Sequence, residues 1–229
     1  MSNSAGMRQA HCLDPRETSR SFAHPDPPSE QLPMAVRTFG HMPSLDQLRP
    51  GDVLLVSALN KSAVSKAIEH VQLTAGFDAW HAQWHHAAVY VGNNLICEAQ
   101  LWGVRIASVF KYAAGTHLIR FRRDTALDDL GSCKVALEAA LKLRYGYDWR
   151  SVVQLLTQAK WGWRGGSGRP RQLSERATLC SQLYADAYGV VTASTLDSRA
   201  EAGVTPAHLS VNKTLSDLPM AWLSLDPSH

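Results

Sequence analysis

The chain has 229 residues, which at roughly 100–200 per domain points to one domain, with room for a small appendage. Apolar residues make up 45% and charged residues 19%, a balance that supports a hydrophobic core and excludes wholesale disorder. Twenty-three Lys and Arg against 20 Asp and Glu leave a net charge of +3. That is too mild for a nucleic-acid partner, which calls for a concentrated basic face.

No apolar run approaches the roughly 18 residues needed to span a bilayer. Met1–Arg8 has no hydrophobic segment behind its arginine, so a secretory signal is not expected and the chain is read as cytoplasmic when made. The four cysteines, at positions 12, 97, 133 and 180, show no paired spacing. They suit reduced thiols better than a disulfide framework.

Seven of the eleven prolines fall in the first 50 residues. Pro25-Asp26-Pro27-Pro28 can neither propagate a helix nor join the middle of a sheet, so residues 1–45 read as a flexible arm or strap. Its His11-Cys12 pair offers too few ligands for a metal. The folded domain, 46–229, opens at Arg49-Pro50-Gly51-Asp52, a turn running into an apolar strand at Val53–Val56. Residues 61–72 place Val64, Ile68 and Val71 at helical spacing. A connection rich in Trp and His (Trp80, His81, Trp84, His85) leads to a hairpin. Its arms are His86–Val91 and Leu95–Ala99, with Gly92-Asn93-Asn94 between them, residues that tolerate the positive φ of a tight turn.

A further strand is expected at His117–Arg122. From Leu127 to Leu143 the pattern is helical, with apolar positions 127, 130, 137 and 141 and close-packing alanines at 136, 139 and 140. Asp148 can cap another helix through Leu156. Lys160–Arg171, with Trp161 and Trp163, reads as a flexible basic loop. Ser174 reads as the cap of a last helix reaching about Tyr188. Strands and helices in this order predict an α+β fold, with helices packed on an antiparallel sheet.

On that last helix Leu179, Leu183 and Ala187 form one buried stripe, and Cys180, Tyr184 and Tyr188 form its neighbour. The Cys180 thiol borders the buried face near the helix start. There free N–H groups and the positive dipole end favour a thiolate and can cradle an oxyanion. A thiol nucleophile needs a base, and the base needs an orienting partner. His86 is the candidate base, sharing a strand face with Ala88 and Tyr90; the small Ala88 leaves room for a helix end to approach. Glu98 lies twelve residues on, in the paired arm. A three-residue loop over 92–94 puts it on the face of His86 as a diagonal neighbour. A two-residue turn at Gly92-Asn93 slips the register by one and points it away.

These residues resemble a family. The hairpin His86–Ala99 is similar to the base-bearing hairpin of the NlpC-type cysteine hydrolases of papain-like fold. Cys180-Ser181-Gln182-Leu183-Tyr184 follows the hairpin instead of preceding it, as in the circularly permuted branch. Gly51-Asp52-Val53-Leu54-Leu55-Val56, Tyr145-Gly146-Tyr147-Asp148 and Val204-Thr205-Pro206-Ala207-His208-Leu209 are similar to that branch too, so the resemblance spans about residues 48–212. It implies a permuted papain-like domain with Cys180 as nucleophile, His86 as base and Glu98 as orienter, working without metal or cofactor on amide bonds through an acyl-thioenzyme. By resemblance the substrate is a bacterial cell-wall peptide, with an acyl lipid as the alternative. The first would require export or delivery into another cell, as an effector; no delivery or immunity partner is legible.

Two other readings compete. A zinc site could draw on His81 and His85, or on His86, Cys97 and Glu98, though His85 and His86 point to opposite sides of a strand. A binding module without catalysis could use the Lys160–Arg171 loop to grip an anionic polymer or headgroup.

Overall fold

In a computed structural model, residues 41–100, 103–113, 116–143, 180–196, 203–220 and 222–224 are described. Residues 1–40, Tyr145–Asp148, the proposed helix through Leu156, the 160–171 loop, the Ser174 cap and Leu179 lie outside them.

The fold is α+β. Six antiparallel strands form its sheet, ordered from Gly103–Ser108 at one edge through Leu95–Gln100, His86–Gly92, Val53–Ala58 and His117–Asp124 to Leu215–Asp217 at the other. The strands are β2 (Val53–Ala58), β3 (His86–Gly92), β4 (Leu95–Gln100), β5 (Gly103–Ser108), β6 (His117–Asp124) and β7 (Leu215–Asp217). The helices are α1 (Ala63–Thr74), α2 (Ala79–Ala82), α3 (Asp129–Leu141), α4 (Cys180–Thr192) and α5 (Pro206–Val211), with a 3-10 turn at Val109–Lys111. Two short strands, β1 (His41–Pro43) and β8 (Trp222–Ser224), pair with each other apart from the sheet. Thus part of the segment expected to be an arm is a strand, and Leu45 is buried. Pro43 fits there because a two-stranded ribbon has free edges.

Both faces of the sheet are covered, so its central strands carry runs of buried apolar residues. On one face Val53, Leu55, Ala87, Val89 and Cys97 pack against Val135 and Ala139 of α3 and Leu183 and Ala187 of α4. On the other, Leu54, Val56, Ala88, Tyr90 and Ile96 pack with Tyr112, Ile119 and Phe121.

Two helix faces differ from expectation. Helix α3 buries Ser132, Val135, Ala136 and Ala139, whereas Leu130, Leu137 and Leu141 are 62%, 57% and 62% exposed. The reason is close approach: the helix lies against α4 and β3 by its small residues, and Gly51 meets it so tightly that an added Cβ would sit 2.3 Å from the Ser132 carbonyl oxygen. Leucines do not fit that seam. In α1 the fully buried residue is polar. Gln72 donates to the carbonyls of Ala82 and Trp84, at 2.7 and 2.9 Å, and accepts from Ala207 N–H at 2.8 Å. Meanwhile Val64 is 38% exposed. A hydrophobic count cannot see a glutamine that staples three segments.

Buried arginines tie β7 and α5 to the sheet. Arg120 and Arg122 both reach Asp217, and Arg122 also donates to the carbonyls of Leu209 and Ser210 at the end of α5. Cations suit the free carbonyls of a helix C-terminus. Among the described residues, no helix is long and apolar enough to cross a membrane.

Candidate active site

The β3–β4 turn is Asn93-Asn94, with φ of 50° and 59°, the two positive values that a two-residue hairpin turn requires. By itself this register would turn Glu98 away. However, pairing steps from Gly92–Leu95 to Tyr90–Ile96, leaving Val91 as an extra residue on β3. One bulge plus a two-residue turn has the geometry of the three-residue loop that the favourable register required. Ala88 then lies opposite Glu98, and His86 opposite Gln100. Diagonally, His86 Nε2 is 3.0 Å from Glu98 Oε2.

The ladder between β3 and β4 ends at Val89–Cys97. Two residues further along β3, the Ala87 N–H donates to the sulfur of Cys180 instead, as does the Ser181 N–H. Helix α4 therefore seats its cysteine on the Ala87 face of β3. The small residue that admits the helix is Ala87, not Ala88, which packs on the far side of the sheet. From the first residue of β3, the His86 ring reaches both partners. Its Nε2 lies 3.0 Å from Glu98 Oε2, and the ring also hydrogen-bonds the Cys180 sulfur. Cys180, His86 and Glu98 come together.

Burial opposes charge on every member of this chain of contacts, and the contacts overcome it. For Cys180, desolvation works against the thiolate, but the His86 hydrogen bond and charge and the two backbone N–H groups bring the thiol below its ordinary value. For His86, burial works against the imidazolium, yet bonds to Cys180 and Glu98 hold the ring up at about 9. Glu98 is wholly buried, which disfavours its charge, but His86, Lys111 and Tyr112 keep it ionised far below the usual carboxylate range. These contacts favour the charged forms of Cys180, His86 and Glu98 alike.

Three residues that the sequence reading missed complete it. Tyr112 Oη donates to Glu98 Oε2 at 2.6 Å. Lys111 bonds Oε1, and Arg105 Nε donates to the same oxygen at 3.1 Å. Arg105 sits directly across the β4–β5 ladder from Glu98. A signal for that hairpin was present in Gly103, which follows the β4 run and has φ of +111°. Nothing in the sequence marked Lys111 and Tyr112; a 3-10 turn capped by Ser108 delivers them.

The candidate metal ligands are dispersed. Nε2 of His85 accepts from Ala58 N–H at 2.7 Å, His81 Nδ1 is 2.8 Å from Ser210 Oγ, and Cys97 donates to the Ala139 carbonyl on the opposite face from Glu98. Among the described residues no three His, Cys, Asp or Glu side chains are gathered for an ion.

No family model and no curated protein matches the chain. Among solved structures it is similar to the crystal structure of metalloprotein YiiX from Escherichia coli O157:H7, DUF1105. Identity is 16%, over 77% of this chain and 99% of that one, with a TM-score of 0.51. That likeness is one of fold.

Proposed function

We propose that the protein is a cysteine hydrolase of permuted papain-like architecture. The convergence of Cys180 with His86 and Glu98, a helix far along the chain meeting the two arms of one hairpin, carries this reading. The thiolate of Cys180 attacks an amide carbonyl and becomes acylated. The N–H groups of Ala87 and Ser181, which donate to the sulfur, are the donors this reading assigns to the carbonyl oxygen as it gathers charge. The His86 imidazolium gives its proton to the departing amine. The neutral ring then takes a proton from water, which attacks the thioester and frees the acid. Glu98 holds the ring in one orientation and steadies its charge.

YiiX is a metalloprotein, but the corresponding chemistry has no ligand set among this chain's described residues. His86, Glu98 and Cys180 already bond one another, and among the described residues no three His, Cys, Asp or Glu side chains are gathered for an ion. The residues do not fit a metal centre, and no step runs through one.

A bacterial cell-wall peptide is the proposed substrate, which carries with it delivery of the protein to that compartment. The test incubates wild type and Cys180→Ala with purified peptidoglycan and, separately, with phospholipid vesicles, and identifies products by mass. Release of peptide fragments by wild type alone supports the reading. Products from vesicles alone would move the chemistry to acyl lipids. Equal products from both proteins would refute a thiol mechanism.

A further inference from the structure

Glu98 is surrounded by more positive charge than an orienting residue needs. One oxygen, Oε1, takes Arg105 and Lys111; the other, Oε2, takes His86 and Tyr112. Lys111 and Tyr112 are adjacent in sequence and both face the carboxylate because the 3-10 turn packs there, with Tyr112 itself 7% exposed. The Tyr112 ring also lies 5.7 Å from the His86 ring, and Gln100 donates to its hydroxyl at 3.3 Å. A neutral amide could orient an imidazole with far less support.

We propose that Lys111 and Tyr112 are positioning residues that occupy both oxygens of Glu98, fixing it against His86 while limiting how firmly it holds the ring's proton. This inference rests on the thiol–imidazole reading above. Its physical basis is competition. A carboxylate bonded only to imidazolium draws the proton strongly, and each added donor or cation on the carboxylate weakens that pull. A ring that held its proton too tightly would be slow to release it to the leaving group.

All the groups around His86 enter this balance. Cys180 of α4 and Glu98 of β4 favour its charged form. Arg105 of β5 and Lys111 oppose it through Glu98. Burial, with the charges of His86 and Lys111, keeps His117 of β6 below its ordinary value, and burial and the neighbouring ring bring His85 down to about 4. Near neutrality both histidines are uncharged, so Lys111 and Arg105 are the cations that act.

The test is an NMR titration of the histidine rings in the full chain, with His86 assigned by its missing signal in His86→Gln. In Lys111→Met the His86 transition should move to higher pH by about one pH unit, as expected for removal of a cation a few ångströms from its partner. Lys111→Arg should restore it. Tyr112→Phe, which removes only the hydroxyl and decides the question if Lys111→Met fails to fold, should move it the same way by less. In both displaced variants turnover should fall in kcat more than KM. A folded Tyr112→Phe or Lys111→Met whose transition stays at the wild-type pH, or moves down, overturns the inference. Cys180→Ser separates this from the reading beneath it. An unchanged His86 transition in that variant would sink the thiol–imidazole pair itself, whatever Lys111→Met shows.

Discussion

Glu98 lies diagonally across a hairpin from His86, with 3.0 Å between Oε2 and Nε2, and the strand that carries the histidine holds one residue, Val91, that its partner strand does not match. The carboxylate in turn anchors two cations and a phenol. Replacing Glu98 by Gln keeps the shape but strands Lys111 and Arg105 without a countercharge. Loss of one member of a buried ion pair costs about 3–5 kcal/mol; Arg105 is half in solvent, so a loss near the low end, about 3 kcal/mol, is expected in denaturant melts. The pH dependence has a definite sign. Because folding lowers the Glu98 value, its contribution is complete above the ordinary glutamate value of 4.5 and is lost as pH falls below it. Glu98→Gln should flatten that acid slope.

The cysteines should react in a fixed order. A thiol held as thiolate alkylates fastest, so Cys180 should be labelled first at pH 6–7, ahead of the exposed Cys133. Burial pushes the Cys97 thiol up to about 12, and it should stay unlabelled until the protein unfolds. Peptide mapping after timed alkylation checks the order. Cys180→Ala should abolish turnover with the fold intact. Cys12→Ser and Cys133→Ser should leave activity in place, and Cys97→Ser should cost stability, about 1–2 kcal/mol, by placing a hydroxyl in the core.

Turnover should pass through a maximum with pH. The acid limb reports formation of the Cys180 thiolate, below the ordinary thiol value, and the alkaline limb reports loss of the His86 proton at about 9. In His86→Gln the alkaline limb should vanish along with nearly all activity, as read from kcat/KM profiles.

Gly51 has φ of +96°, and a Cβ there would overlap the Ser132 carbonyl. Gly51→Ala thus combines backbone strain with a clash at the α3 seam, and should destabilise by about 3 kcal/mol. The adjacent Asp52, doubly bonded by Arg123, would be displaced with it. A shift in the urea midpoint without a change in slope is the expected signature.

Gln72→Leu should be as severe although it is apolar and of similar size. It leaves two carbonyls and the Ala207 N–H without their partner, at about 1–3 kcal/mol for each buried group. One of those carbonyls belongs to Trp84, two residues ahead of His86, so catalysis should weaken as well, measurable as a fall in kcat of the folded variant.

The sheet was legible where one face's pattern sufficed. Val53–Val56, the His86 hairpin and His117–Arg122 all announce themselves by runs of strand formers between turn residues. The triad could be nominated because helical spacing seated Cys180 and strand alternation related His86 to Glu98. What remained hidden depends on close tertiary approach. The outward leucines of α3 could not be told from inward ones while the Gly51 contact was unknown. Nor could local sequence reveal the bulge at Val91, since an unpaired residue exists only relative to its partner strand. Lys111 and Tyr112 carry no motif; their role arises solely from where a single 3-10 turn lands.

The pairing of His41–Pro43 with Trp222–Ser224 sets the earliest and latest described strands side by side. A short linker added at that ribbon could therefore splice the two together, and a break made ahead of Cys180 would let a ribosome deliver the sulfur's helix before the imidazole's strand. Every contact within the triad would survive such a rewiring, because none of them depends on the order in which its parts are synthesised.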